Sequence, residues 1–213
     1  MATTMAQEQS VWIFDLDGTL IDSMTAFRHL AGELIAAHYG VSPTEAEEQY
    51  RQTSGLPFVE QMQTLYPDHP NNAETVATFE RRKLDYYAQA RPFPDVLPVL
   101  QILAERGDFL GISSNNGQAL VESMVERWEL PIHIVCGWRN GVGKGIAHFA
   151  TMRAFSQAAD DAMTFVGDSL HDAALALQHG LGFTGRVGTF AAGEFHHRYP
   201  GVRVIRSLRE LLS

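Results

Sequence analysis

Four aspartates follow directly after two short apolar runs of the chain. Asp15 and Asp17 follow the run VWIF in VWIFDLDGT, and Asp168 and Asp172 follow the run MTFV in MTFVGDSLHDAA. Two carboxylates ~4 Å apart repel each other by roughly 4 kcal/mol at an effective dielectric near 20, so their cluster needs a cation or a proton. An all-oxygen cluster suits Mg²⁺, which also keeps waters and phosphate oxygens in its shell. The pattern therefore predicts magnesium and a phosphate ligand together.

A purely structural interpretation competes for each aspartate taken alone. An Asp after a strand is commonly a helix cap, and for Asp172 by itself capping is as good an explanation as catalysis. The segments DLDGT and GDSLHD together favour a site, because both follow apolar runs that predict buried strands.

Two other predicted strand ends carry groups that could hold a phosphate. Ser114 and Asn115 follow FLGIS, where a hydroxyl and the backbone N–H groups of a helix start could bind phosphate oxygens, although Ser114 could equally be an ordinary cap. Lys144 lies among glycines in NGVGKGIAH, with a lone surface lysine as the alternative. A Walker nucleotide loop is excluded here, because Trp138 and Gly145 stand where it needs Gly and Ser or Thr.

The alternation of apolar runs with helical periodicity defines the elements that would position these groups. Strands are predicted at residues 11–15, 109–113, 131–136, 163–167 and 202–205, with a short segment near 183. Helices are predicted between them, the first capped by Asp95 and the others at about 118–128, 146–157 and 172–179. This order predicts an α/β fold with a doubly wound, Rossmann-like parallel sheet, whose ligands bind beyond the carboxyl ends of the strands.

The stretch between the first strand and residue 92 has a different character. Its helical segments TAFRHLAGELIAAHY, TEAEEQYRQ, FVEQMQTLY and AETVATFERRKLDYYAQA are separated by short connectors. We therefore expect a helical domain at residues 22–91, inserted into a core domain made of residues 1–21 and 92–213.

Composition excludes several classes of protein. The chain has 213 residues, of which 45% are hydrophobic, and no apolar run approaches the ~20 residues of a membrane span. Residues 1–10 read as a polar, frayed leader rather than a secretory signal, so a cytoplasmic protein is expected. The net charge of -9 opposes binding to nucleic acid polymers. The single cysteine, Cys136, excludes an internal disulfide and is expected to be a buried hydrophobic residue.

Taken in order, DxDGT at 15–19, the pair at 114–115, Lys144 and GDSxxD at 167–172 resemble the motifs of the haloacid dehalogenase (HAD) superfamily. The resemblance runs from Val11 to about Gly188. It includes the helical insertion, which resembles the cap domain of the phosphatase-type members. Asp17 favours phosphate as the target, because relatives that cleave carbon–halogen bonds lack the second aspartate.

The resemblance implies roles for individual residues. Asp15 would be the nucleophile that forms an aspartyl-phosphate, and Asp17 the general acid and base. Mg²⁺ would be bound by Asp15, the backbone carbonyl of Asp17, and Asp168, while Asp172 would support the metal or the lysine. The implied catalytic and phosphate-binding residues beyond the aspartates are Ser114, Lys144, Asn115 and Gly18.

The expected activity is Mg²⁺-dependent hydrolysis of a small phosphorylated metabolite by a monomer or homodimer. A phosphomutase of the β-phosphoglucomutase type is the alternative enzyme, and a non-catalytic phospho-ligand-binding protein a weaker one. A glycosidase ranks below these, because its paired carboxylates would leave Lys144 without a task. In the cap loop RQTSGLPF, Arg51, Gln52 and Ser54 could meet the substrate or simply connect helices.

Overall fold

The structure is a computed structural model that describes residues 9–213 of the chain. Most of the predicted N-terminal leader, residues 1–10, lies outside the described residues. Within the described part of the chain, no helix combines the length and the apolar character needed to cross a membrane.

One parallel sheet of six strands forms the centre of the described residues. Its strands are β1 (Val11–Phe14), β2 (Phe109–Gly117), β3 (Ile134–Trp138), β4 (Met163–Gly167), β5 (Gly182–Arg186) and β6 (Arg203–Ile205). Their order is β3-β2-β1-β4-β5-β6, so β1 is an inner strand between β2 and β4. The carboxyl ends of these three strands therefore lie side by side. The predicted α/β fold with a doubly wound parallel sheet is confirmed.

Nine α-helices and two short 3₁₀ turns, at 160–162 and 208–212, complete residues 9–213. The helices before the second strand are α1 (Met24–Tyr39), α2 (Pro43–Gln52), α3 (Phe58–Leu65), α4 (Asn72–Gln89) and α5 (Val96–Glu105). Those after it are α6 (Gln118–Arg127), α7 (Ile146–Ser156), α8 (Leu170–Gln178) and α9 (Ala192–Arg198).

Strand β1 is buried on both faces because helices cover both sides of the sheet. Ile13 packs in one apolar cluster with Phe149 and Phe165, whereas its neighbour Phe14 packs in another with Ile112. Side chains of successive strand residues point to opposite faces, so an uninterrupted apolar run is the expected sequence of such a strand. The rigid, buried strand fixes the position of the residues that follow it.

Helices α1 to α4 lie between β1 and α5 in sequence and have an aromatic core of their own. The ring of Phe27 meets that of Tyr87 edge-on at 5.3 Å, and the rings of Phe58 and Phe79 stack at 4.0 Å. We refer to these four helices and their connectors as the cap. The division into a core of residues 1–21 and 92–213 and a cap of residues 22–91 stays a prediction.

The expectation that the Asp95 side chain caps α5 is wrong. Its carboxylate makes no capping bond and instead accepts hydrogen bonds from Ser207 Oγ and Leu208 N, both at 2.7 Å. It also forms a buried ion pair with Arg186 at 3.1 Å, and that guanidinium donates to the carbonyl of Thr19. Asp95 thus ties the C-terminal segment to the loop that follows β1.

Other differences concern the bounds of strands and one missed helix. Strand β2 continues to residue 117 instead of 113, and β3 covers 134–138 instead of 131–136. The segment near 183 is the full strand β5, and helix α9 lies where no helix is predicted from the sequence. Cys136 is buried, which confirms its expected role as a small core residue.

Candidate active site

Three of the four predicted aspartates meet at the ends of β1 and β4. Asp15 follows β1 directly, Asp168 follows β4, and Asp172 lies in the first turn of α8. All three are buried, and one carboxylate oxygen from each lies within 4.8 Å of the others. Because β1 and β4 are neighbouring parallel strands, residues from separate parts of the sequence lie together in one acidic cluster.

Lys144 places a positive charge inside this cluster. Its Nζ lies 2.7 Å from Oδ1 of Asp15 and 2.8 Å from Oδ1 of Asp172, and its side chain is only 3% exposed. Burial opposes the charge on Lys144, but Asp15 and Asp172 outweigh burial and hold the pKa of the ammonium above its ordinary value. The alternative of a solvent-exposed surface lysine is therefore wrong.

The charges in the cluster do not balance without a further cation. Burial raises the pKa of Asp15 to about 7, although Lys144 opposes this shift. Burial, followed by the charges of Asp15 and Asp172, raises the pKa of Asp168 well above its ordinary value. Three carboxylates against one ammonium leave an excess of negative charge when all are ionised, and this excess favours a bound cation.

Asp172 serves the helix and the cluster at the same time. Its backbone N–H donates to Ser169 Oγ at 3.0 Å, and its Oδ2 accepts from Ser169 N at 3.2 Å, which forms a capping box at the start of α8. Its other oxygen, Oδ1, accepts from Lys144 Nζ. The capping interpretation of Asp172 is therefore confirmed, while its part in a functional site stays a prediction.

The carboxylate of Asp17 lies apart from the acidic cluster and has its own set of donors. Ser23 Oγ donates to Oδ1 at 2.6 Å, and Asn116 Nδ2 and the Tyr87 hydroxyl donate to Oδ2 at 2.6 and 2.8 Å. Tyr87 belongs to cap helix α4, so the cap contacts this carboxylate directly. Three donors fix its orientation beside the cluster.

Ser114 and Asn115 lie within the extended end of β2, not at a helix start, because the strand continues to residue 117. Ser114 is buried, and its Oγ accepts a hydrogen bond from Asn116 N at 3.1 Å. The Asn115 side chain bridges two loops: Nδ2 donates to the carbonyl of Gly55 in the cap, and Oδ1 accepts from Lys144 N, at 3.0 and 2.9 Å. Its side-chain groups are thus engaged by protein atoms.

Gly18 lies in close contact with Asp168. Its N–H donates to the carbonyl of Ile21 at 2.8 Å, so this amide already has a partner within the protein, and phosphate binding by Gly18 stays a prediction. A Cβ at this position would lie 2.1 Å from Oδ2 of Asp168, and the backbone has φ of 73°. Only glycine fits here, because it tolerates both the positive φ and the contact.

One contact in the cluster was missed by the sequence analysis. Thr189, in the connection between β5 and α9, donates its hydroxyl hydrogen to Oδ2 of Asp168. Nothing in the stretch RVGTFAAG marks this threonine, since its partner is 21 residues away in the chain and on another strand end. The pairing depends on β4 and β5 being neighbours in the sheet.

The three cap residues Arg51, Gln52 and Ser54 make contacts within the protein. Arg51 pairs with Glu48 at 2.7 Å and, across the interface with the core, with Glu194 at 2.9 Å. Gln52 Nε2 donates to Glu48, and the buried Ser54 hydroxyl donates to a backbone carbonyl of α2. These side chains therefore stabilise the cap and its contact with the core.

A small cavity of about 100 Å³ lies between the cap and the strand ends. Its core side is lined by Asp15, Asp17, Ser114, Asn115, Asn116 and Lys144. The structure thus brings five of the predicted site residues to one cavity. Asp168 and Asp172 do not line it but form the acidic cluster with Asp15, which does.

Comparisons with known proteins agree with this arrangement. A family model described as haloacid dehalogenase-like hydrolase matches residues 12–185. A phosphoglycolate phosphatase from Synechococcus elongatus is 29% identical over 177 residues, 79% of each chain. A solved structure from Bacteroides fragilis, described as a haloacid dehalogenase-like hydrolase, has a TM-score of 0.79 at 24% identity and covers 96% of this chain and 100% of its own. A hydrolase from Pseudomonas syringae has a TM-score of 0.77 at 21% identity, with 96% of each chain covered.

Proposed function

Because this chain belongs to the haloacid dehalogenase-like hydrolase family, we propose that it is a magnesium-dependent phosphatase that hydrolyses small phosphomonoesters through an aspartyl-phosphate. The supporting observation is the ammonium of Lys144, which lies within 2.8 Å of both Asp15 and Asp172 inside a buried acidic cluster. The relative named phosphoglycolate phosphatase supports a phosphorylated metabolite as the substrate.

The residues of the cluster fit a hard divalent cation. Oxygen donors from three buried carboxylates lie within 4.8 Å of one another, and they carry more charge than Lys144 offsets. Asp15, Asp168 and the backbone carbonyl of Asp17 would hold Mg²⁺, with Asp172 supporting the site. A bound Mg²⁺ would offset negative charge on the phosphoryl oxygens.

Asp15 is the proposed nucleophile. Its carboxylate attacks phosphorus, the bond from phosphorus to the ester oxygen breaks, and the phosphoryl group becomes bonded to Asp15. Water then attacks the same phosphorus, which releases inorganic phosphate and restores the carboxylate. Splitting hydrolysis in this way replaces one difficult step by two easier ones. Lys144 orients the carboxylate and, with Ser114, stabilises charge on the transferring group.

Asp17 is the proposed general acid and base. In the first step it gives a proton to the leaving oxygen, and in the second it takes one from the attacking water. Help of this kind is typically worth a factor of roughly 10² to 10⁴ in rate. Its bonds to Ser23, Tyr87 and Asn116 hold the carboxylate at the edge of the cavity, where a leaving group would lie.

The test of this function is phosphate release from p-nitrophenyl phosphate by the purified protein. Turnover should require Mg²⁺, stop on chelation with EDTA and return when Mg²⁺ is restored. Asp15→Asn should abolish turnover without unfolding the protein, whereas Asp85→Asn, a matched change at an exposed cap residue, should not change it. Near-wild-type activity of Asp15→Asn would reject the assignment. Product analysis separates a phosphatase, which releases free phosphate, from a phosphomutase, which returns the group to another hydroxyl.

A further inference from the structure

A second cavity, of about 380 Å³, adjoins the catalytic cavity. Because the two cavities share part of their lining, they form one continuous path between the strand ends and the surface. The residues that line both are Pro57, Phe58, Glu80, Lys83, Asn115 and Asn116. We call the remainder of the outer cavity the apolar mouth, which is lined by Val59, Val76, Leu84, Gly117, Leu120 and Trp138.

Three large apolar side chains of this mouth are held in solvent. Val59 is 56% exposed, Leu84 52% and Trp138 49%. The first two belong to cap helices α3 and α4, whereas Trp138 ends core strand β3, so the mouth lies across the interface between cap and core. Scattered exposed apolar residues need no explanation, but several around one concave opening mark a binding groove.

The residues that line both cavities, which we call the neck, are more polar than the apolar mouth. Lys83 Nζ pairs with Glu80 Oε2 at 2.6 Å, and the lysine side chain is only 12% exposed. The amides of Asn115 and Asn116 are occupied by Gly55 and Asp17. The neck therefore offers an ammonium and a carboxylate whose charges cancel, which suits a neutral part of the substrate that carries hydroxyl groups better than a second anion.

We propose, on the basis of the phosphatase function above, that the substrate is a phosphomonoester whose leaving group is a sugar bearing an aromatic ring, as in a nucleoside 5′-monophosphate. The phosphoryl group lies at Asp15, the sugar lies against the ion pair of Glu80 and Lys83, and the ring packs against Trp138 in the apolar mouth. Such a substrate contacts both cap and core. This substrate is larger than phosphoglycolate, so the proposal assigns this chain a different substrate from the one in the name of its Synechococcus elongatus relative.

The test compares substrates that differ only in the ring. Adenosine and uridine 5′-monophosphates carry the same sugar phosphate as ribose 5-phosphate, which lacks a base. Because stacking of a base on an aromatic side chain typically changes affinity by about fivefold or more, kcat/KM should be at least about fivefold higher for the nucleotides. Trp138→Ala should remove most of that preference.

Phe155→Ala is the matched control, since Phe155 is an aromatic residue on α7 that is 67% exposed and lies outside both cavities. It should keep the wild-type preference for nucleotides. If the wild type hydrolyses ribose 5-phosphate as well as the nucleotides, and does so through Asp15, the proposal for the mouth is wrong while the phosphatase function stands. If no phosphomonoester is hydrolysed, the proposed function itself fails. A third outcome would also overturn the proposal: sedimentation shows that Trp138→Ala dissociates a dimer, and the variant hydrolyses all substrates more slowly by the same factor. The apolar mouth would then be an interface between two copies of the chain.

Discussion

Replacing Tyr87 by phenylalanine removes one oxygen atom, through which cap helix α4 contacts the carboxylate of Asp17. The hydroxyl donates to Oδ2 of Asp17 at 2.8 Å, and the ring is buried. A hydrogen bond to a charged group typically contributes about 1.5 to 3 kcal/mol. Asp17 keeps Ser23 and Asn116 as donors and is only partly buried, so the lower end of that range applies. We expect Tyr87→Phe to lower the free energy of unfolding by about 1.5 kcal/mol.

The same change should slow catalysis if Asp17 is the general acid and base. A loss of about 1.4 kcal/mol in the transition state corresponds to about tenfold in rate, so kcat/KM should fall by about that factor. The assay is initial-rate kinetics with p-nitrophenyl phosphate at saturating Mg²⁺. Tyr39→Phe is the matched control, because that hydroxyl donates to Asn72 Oδ1 at 2.7 Å within the cap. It should cost stability without lowering kcat/KM.

A double-mutant cycle makes the reasoning refutable. In an Asp17→Ala background the Tyr87 hydroxyl has lost its acceptor, so Tyr87→Phe should cost at least about 0.5 kcal/mol less than it does in the wild type. Unfolding by urea measures all four proteins. Equal costs in both backgrounds, together with unchanged kcat/KM for Tyr87→Phe, would show that the contact stabilises nothing and positions nothing.

Three further predictions concern the acidic cluster; isothermal titration calorimetry measures the first two, which concern binding of Mg²⁺, and unfolding by urea measures the third. Thr189→Val keeps the shape of the side chain but removes the donor to Asp168, so the affinity for Mg²⁺ should fall by about tenfold or more; unchanged affinity would contradict the role of this hydroxyl. Burial raises the pKa of Asp15 to about 7, so below that pH the carboxyl must lose its proton before a cation binds. The affinity for Mg²⁺ should therefore fall by about tenfold for each pH unit below 7. In the metal-free protein the free energy of unfolding should fall as pH rises from about 4 to about 7, because Asp15 is ionised in the unfolded state but still protonated in the folded state over this range. An affinity and a stability that do not change between pH 5 and 7 would oppose the assignment.

The sequence predicted the elements with strong local patterns. The four cap helices lie within two residues of their predicted bounds, because amphipathic periodicity and the connectors that contain Gly, Pro and Asn are local properties. The family resemblance and the acidic cluster were also accessible, since DxDGT and GDSxxD each follow a buried strand.

Elements without such patterns were missed or displaced. Strand β5 has the sequence GFTGR, and glycine is depleted in strands. Gly185 leaves room for the ring of Phe195, since a Cβ there would lie only 3.1 Å from it. Strand β3 begins later than predicted because Pro131 has no N–H group and because Leu110 N donates to the ring of His133 instead of to a backbone carbonyl, although His133 N still donates to the carbonyl of Leu110. These causes lie in the tertiary contacts of the residues.

Partners that come together only through the fold were not accessible either. Asp17 is 70 residues from Tyr87 and 99 from Asn116, and no sequence pattern links them. The sequence therefore identified the carboxylates but not the donors that orient them. It also placed Ser114 at a helix start, since the continuation of β2 beyond it depends on pairing with β3.

The Asn115 side chain joins the Gly55 carbonyl of the cap to the backbone N–H of Lys144, so it connects the cap with the residue whose ammonium pairs with Asp15. A movement of the cap away from the sheet would break the hydrogen bond to Gly55 and let the Asn115 amide rotate, so the backbone N–H of Lys144 would lose its acceptor. We expect the ammonium beside Asp15 to be firmly held only while the cap is in contact with the core. If Asp15 is the proposed nucleophile, a protein with its cap displaced would then react slowly with phosphate esters from bulk solvent.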